Sequence, residues 1–157
     1  MEATIRKARL DDLDRIVELW VEMMSDHQRF DPRLVLAANA PAEYRKYASY
    51  YIAHADSSVY VAELSNKEVV GYCLAFISQN LPMFEPETYG FISDLVVTEK
   101  QKRQGIGAAL ISQVKQWFQR QAVKNIQLQV YSHNTAGKQF WKKIGFENFF
   151  ERLWLDL

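Results

Sequence analysis

"VVTEKQKRQGIGAAL", Val96 to Leu110, decides how this chain is read. Val96 and Val97 end an apolar run. A basic stretch with Lys100, Lys102 and Arg103 follows, then Gly105 and Gly107 with one residue between them, then apolar residues at helical spacing. A helix begins with unsatisfied N–H groups and a positive dipole end. Glycines there let a ligand approach the backbone, and an anion, above all a diphosphate, suits the place. Lys102 and Arg103 add charge for phosphate contacts. Two familiar phosphate loops do not match. A P-loop closes with Gly-Lys-Ser or Gly-Lys-Thr, whereas Ala108 and Ala109 follow Gly107; a dinucleotide fingerprint needs a third glycine where Leu110 stands. A lone Gly-x-Gly pair therefore reads first as a strand-to-helix turn whose glycines relieve crowding, behind a solvated charge run.

The surroundings are alternating strands and helical runs. "ATIRKA" (3–8) reads as a short strand. "LDDLDRIVELWVEMM" places Leu13, Ile16, Val17, Leu19 and Trp20 at helical spacing, with Asp11 as its N-cap. Pro32 ends that helix, and a second starts after Pro41 through "EYRKYASYYIAH". "SSVYVAELS" and "EVVGYCLAFIS" form a hairpin about the turn "NK". "TYGFISDLVV" is a strand, and the glycine turn leads into a helix from Gly105 to about Ala122. "NIQLQVYS" alternates apolar and polar residues as a strand does. "NTAGKQFWKKI" is a helix capped by Asn134, and "GFENFFERLWLDL" reads as a closing bent strand. The order β-α-α-β-β-β-α-β-α-β predicts an α/β domain over residues 1–157, with a mixed, twisted sheet and helices on both faces.

Composition narrows the classes. The chain has 157 residues, 48% of them hydrophobic, which suits one soluble folded domain. Its 19 basic and 19 acidic side chains argue against a general nucleic-acid binder, which carries a basic excess. Cys73 is the single cysteine, so neither an internal disulfide nor a zinc site built on cysteine pairs can form. It lies in "VVGYCLAFI" and reads as a buried, inert thiol. The first residues are too charged for a signal peptide, and no apolar run approaches the roughly 18 residues of a membrane helix. A cytoplasmic protein is the expectation.

Two motifs together go further. The glycine turn follows a strand ending in "DLVV", and "NTAGKQFWKKIGF" lies one strand later. In that order and spacing the chain resembles the GNAT superfamily of acetyl-coenzyme A-dependent N-acetyltransferases. That family's loop reads Gln/Arg-x-x-Gly-x-Gly/Ala, and its later helix Asn-…-Tyr-…-Gly-Phe. "IRKARLDDLDRIVELW" is similar to the family's first strand and helix. The resemblance implies a V-shaped cleft between the last strands and acetyl-coenzyme A as cofactor. It implies that Leu95, Val96 and Val97 border the pantetheine arm, with Leu95 and Val97 pairing to it through their backbones. The pyrophosphate would rest on the amides of Arg103, Gln104, Gly105, Ile106, Gly107 and Ala108, beside Lys102 at the first loop position. Asn134 would reach the cofactor by its side chain, while also serving as an N-cap. The acceptor implied is a primary amine on a small molecule, peptide or protein, with a homodimer as the family's common assembly.

The family's proton donor to the departing thiolate, a tyrosine, falls at Trp141. Indole donates a hydrogen bond but delivers no proton. Trp141 then reads as a cleft or core aromatic. The attacking amine, with a pKa of about 10.4, needs a proton acceptor. Asp94, in an otherwise apolar strand, is the first candidate, since burial would raise its pKa. An acid bonded to local backbone, or one that only attracts a cationic amine, is the equal alternative. Ser93 and Gln129 occupy positions where the family often has glutamate. Tyr131, Ser132, His133, His27 and Tyr89 are relay candidates. "MMSDHQRFDPRL" and "SQNLPMFEPETYG" flank the acceptor side, with Phe30, Phe84 and Glu85 as shaping residues. A non-catalytic acyl-coenzyme A sensor of the same fold is the main rival, and a nucleic-acid binder using "EKQKRQGIG" is the third.

Overall fold

The computed structural model describes residues 3–157. Its elements are β1 (Thr4–Lys7), α1 (Leu13–Phe30), α2 (Ala40–Ala53), β2 (Ser57–Glu63), β3 (Val69–Gln79), β4 (Thr88–Val97), α3 (Ile106–Arg120), β5 (Ile126–Leu128) and α4 (Thr135–Ile144). The five strands form one sheet in sequence order. β1 to β4 run as an antiparallel meander, and β5 returns parallel to β4 through α3. The expected mixed sheet with helices on both faces is what forms.

Alternation along the strands sorts the core into two layers. Tyr60, Ala62, Cys73, Ala75 and Ile92 pack against Leu110, Val114 and Phe118 of α3. Val59, Val61, Tyr72, Leu74 and Val96 pack against Ile16 and Leu19 of α1 and Tyr44 and Ala48 of α2. Ile16 and Leu19 are fully buried, as their helical spacing predicts. Burial of each such side chain contributes roughly 1.5–3 kcal/mol. Cys73 is also fully buried, and burial pushes its thiol well above the ordinary range, so it is no nucleophile.

Helix ends follow their punctuation with one correction. α1 stops at Phe30, just before the Asp31–Pro32 pair, and α2 carries Pro41 in its first turn. Asp11, however, caps nothing. Leu10–Asp12 form a short 3-10 turn, and Asp12 is the residue that is held. Its Oδ2 accepts the Arg9 N–H at 2.7 Å, and Arg6 donates to both its oxygens at 2.8 and 2.9 Å.

The strand expected over "GFENFFERLWLDL" does not form. Gly145 ends α4 at φ 108°, and the residues beyond it carry no regular structure. Leu153, Leu155 and Leu157 are exposed. Strand propensity is realised only against a partner, and the sheet of described residues ends at β5, which pairs with β4 alone. β5 itself is three residues long rather than the full "NIQLQVYS". None of the helices is long and apolar enough to cross a membrane, among the described residues.

Candidate active site

β4 is paired differently along its two halves. Gly90, Phe91 and Ile92 lie beside Ile126, Gln127 and Leu128 of β5, and no pairing with β5 continues beyond them. Against β3 the register slips once: Leu74 faces Asp94 and Ala75 faces Ile92, leaving Ser93 as an extra residue. In an unbroken strand Ile92, Asp94 and Val96 would share a face. The bulge instead leaves Ile92 in the α3-side core and turns Ser93 and Asp94 together toward α2.

The same slip sets the backbone beyond it. Thr98 N–H donates to Val70 O at 2.8 Å, and a Cβ on Gly71 would meet Val96 O at 2.6 Å. Thr98 and Val96 thus address β3. By alternation Leu95 and Val97 present their N–H and C=O groups to the opposite side, where β5 no longer pairs. This unpaired stretch lies where a cleft between the last strands is expected. A ligand with amides of its own can pair there as an extra strand does.

α3 opens at the end of that edge. Its N-cap, Gly105, has φ 82° and nothing within 4 Å of a built Cβ, so the left-handed backbone is what calls for glycine. Arg103 also has positive φ, 62°. No side chain caps the helix. Gly105 C=O accepts the first intrahelical bond, from Ala109 N–H at 3.0 Å, so the amides of Ile106, Gly107 and Ala108 have no intrahelical acceptor. Lys102 leans back to Glu99 at 2.5 Å, and Gln104 bonds Lys100 O at 3.2 Å. The crowding role proposed for the glycines holds for one of them. A Cβ on Gly107 would stand 3.3 Å from Phe140 and 3.8 Å from Leu95, so its bareness lets α4 pack close.

α4 begins in the opposite way. Asn134 Oδ1 accepts the Gly137 N–H at 2.9 Å, and a Cβ on Gly137 would clash with Asn134 at 2.6 Å. Asn134 is therefore a true N-cap. Trp141 is half-buried against the α3-side core, its ring edge-on to Phe140 and Phe146 at 5.0 and 5.3 Å.

A connected set of hydroxyls surrounds Asp94, which is 8% exposed. Ser93 Oγ donates to Asp94 Oδ2 at 2.8 Å and Tyr44 Oη donates to the same oxygen at 3.2 Å. Tyr47 Oη lies 3.0 Å from Ser93 Oγ, and Tyr72 Oη lies 2.8 Å from Tyr44 Oη. Burial pushes the Asp94 carboxyl up to about 6, against the pull of the Ser93 and Tyr44 hydrogen bonds. Burial also raises the phenols, Tyr47 to about 12, so they stay protonated near neutrality.

The relay candidates are scattered by comparison. Tyr89 sits five residues before Asp94 on β4, roughly 15 Å away along a strand. Gln129, Ser132 and His133 are exposed in the segment after β5. His27 and Tyr131 do meet, ring centres 5.0 Å apart, joining the end of α1 to that segment. His27 Nδ1 is buried without a hydrogen-bond partner among the described residues, and burial lowers its pKa. Phe30 adjoins His27 at 5.8 Å, whereas Phe84 and Glu85 are exposed on the β3–β4 loop. Sequence reasoning missed Tyr44, Tyr47 and Tyr72. The signal was there for two of them: "EYRKYASYY" sets Tyr44, Tyr47 and Tyr51 on one helix face.

Comparison with known proteins adds a family. A model described as the Acetyltransferase (GNAT) family matches residues 13–146. No curated protein matches the chain. Among solved structures, the tetramutant of the BH1408 protein from Bacillus halodurans superposes with a TM-score of 0.86 at 21% identity, covering 98% of this chain and 99% of that one. The aminoglycoside antibiotic 6'-N-acetyltransferase AAC(6')-Ih from Acinetobacter baumannii does so at 0.76 and 15% identity, over 99% and 97%. An aminoglycoside acetyltransferase from an uncultured soil metagenomic sample, in complex with sisomicin, gives 0.70 and 20%, over 99% and 96%. At these identities the likeness is one of fold.

Proposed function

The chain belongs to the GNAT acetyltransferase family and is an N-acetyltransferase, and from that premise we propose that it carries acetyl from acetyl-coenzyme A to a primary amine of a small molecule or peptide in a ternary complex. The observation that carries this reading is the line formed by an open β4 edge, a buried carboxylate facing α2 and an uncapped α3 mouth, all within residues 93–108.

The residues fit such a cofactor. Leu95 and Val97 have free backbone groups for a pantetheine arm. The amides of Ile106, Gly107 and Ala108, with Gly105 at the turn, suit a diphosphate, and Lys102 and Arg103 add positive charge beside it. Asn134 already serves its own helix and can offer the cofactor only its remaining side-chain capacity. When bound, acetyl-coenzyme A supplies an acetyl group activated as a thioester. The N–H of Leu95 would serve as the hydrogen-bond donor to a carbonyl oxygen on which negative charge develops. Asp94, ionised above about pH 6, is the proton acceptor for the amine. Trp141 gives no proton; a thiol with a pKa of roughly 8.5 is a tolerable leaving group without one. Holding both partners in one cleft supplies much of the rate.

The solved aminoglycoside acetyltransferases make aminoglycosides one acceptor class to test, alongside peptide amines and arylalkylamines. Thiol release from acetyl-coenzyme A is followed with each class. Amine-dependent release supports transfer. Cofactor binding without amine-dependent release would replace it by the sensor reading, which the packing of Trp141 favours.

A further inference from the structure

Asp94 is poorly placed to meet an amine by itself. Its residue is 8% exposed, and Oδ2 already accepts from Ser93 and Tyr44. Tyr44 and Tyr72 are buried at 7% and 0%, whereas Tyr47 is 37% exposed. Tyr47 is thus the outermost tyrosine of the set.

Hydrogen-bond direction follows from counting protons. A carboxylate only accepts, and a serine hydroxyl has one hydrogen. Ser93 gives that hydrogen to Asp94. The 3.0 Å contact between Ser93 and Tyr47 must then be a bond in which Tyr47 donates and Ser93 accepts. A hydroxyl that donates its one hydrogen keeps lone-pair capacity, so Tyr47 Oη, with Tyr51 beside it and the residue 37% exposed, can still accept from an ammonium or an amine N–H. Every hydroxyl on this branch already points its hydrogen toward Asp94.

We infer that Tyr47 is the catalytic residue that receives the amine's proton, and that Ser93 is the positioning residue that passes it to Asp94. This rests on Asp94 being the base. The step balances. One N–H bond of the amine breaks, its electron pair stays on nitrogen, and a proton joins Tyr47 Oη. Tyr47's own proton moves to Ser93 Oγ, and that of Ser93 moves to Asp94 Oδ2. Each hydroxyl keeps one hydrogen, and the carboxylate becomes a carboxylic acid. The proton leaves by the same bonds in reverse, to solvent. The bulge is what makes this possible, because only an extra residue puts Ser93 and Asp94 on one face.

The test is thiol release from acetyl-coenzyme A between pH 5.5 and 9.5, with kanamycin, tyramine and a short peptide as amine probes. The variants are Tyr47→Phe, Ser93→Ala, Ser93→Thr and Asp94→Asn. With the relay intact, kcat levels off above about pH 6–7. In Tyr47→Phe and Ser93→Ala it is expected to fall ~10- to 100-fold. It should then keep rising toward pH 9.5, because only already-neutral amine reacts, while the KM for acetyl-coenzyme A stays as in wild type. Ser93→Thr, which keeps the hydroxyl, should restore the plateau. Wild-type kcat and plateau in Tyr47→Phe, beside an inactive Asp94→Asn, would show direct proton transfer from the amine to Asp94 and overturn the relay alone. An active Asp94→Asn would remove the base itself. No amine-dependent release with any probe would overturn transfer and relay together.

Discussion

Two strand-to-helix units lie side by side in this molecule, and they begin their helices in opposite ways. β5 leads into α4, whose mouth is closed by its own Asn134. β4 leads into α3, whose mouth has no side-chain cap and turns on a left-handed glycine. β5 is short and regular, and β4 is long and bulged around a buried carboxylate. A closed mouth and a plain strand serve stability. An open mouth and a bulged strand with one unpaired edge leave polar groups unanswered by the chain, and unanswered groups at one edge are what a ligand can answer.

The largest effect is expected in the β4–α3 unit. Asp94→Asn should lower kcat by ~100- to 10,000-fold in thiol-release assays. Its stability should move the other way. The folded pKa, about 6, lies above the ordinary 3.8, so the stability linked to protonated Asp94 is present at low pH and lost as pH rises through about 6. Above that pH the buried carboxylate costs up to about 3 kcal/mol. Calorimetry at pH 8 should find Asp94→Asn at least as stable as wild type; a clear loss of Tm there would mean the carboxylate holds the fold together instead.

Next comes Gly105→Val. A β-branched residue at φ 82° costs on the order of 1–3 kcal/mol and distorts the α3 mouth, so acetyl-coenzyme A should bind ~10- to 100-fold more weakly by isothermal titration. Asn134→Ala sharpens the contrast. Loss of that cap should cost about 1 kcal/mol and lower Tm by ~2–4 °C, with a smaller effect on cofactor affinity than Gly105→Val has. Equal effects on affinity would erase the distinction between the two mouths. Lys102→Ala is expected to be mildest, a few-fold in KM that fades with added salt, since this exposed side chain also serves Glu99.

How much was legible depended on whether the determinant was local. "TYGFISDLVV" marked β4 to the residue, because its apolar density and flanking turn signals are properties of the segment itself. The α3 mouth was legible through Gly105, whose conformation few other residues adopt. The bulge at Ser93 was not, since a register slip is a relation between β3 and β4. Tyr72, and the link that runs from it through Tyr44 to Asp94, was out of reach for the same reason: it forms only once α2 packs on the β3–β4 pair. The tail failed most plainly. "LWLDL" is rich in strand-forming residues, yet no strand among the described residues stands beside it.

Amide chemical shifts of the isotopically labelled chain, titrated with coenzyme A to millimolar concentration, test the contrast between the two mouths most directly. Leu95, Val97 and the amides of Gly105, Ile106, Gly107 and Ala108 should move together on one binding curve, while Gly137 and Lys138 at the α4 mouth move little. Silence along 95–108, or the largest shifts at Gly137 and Lys138, would contradict it.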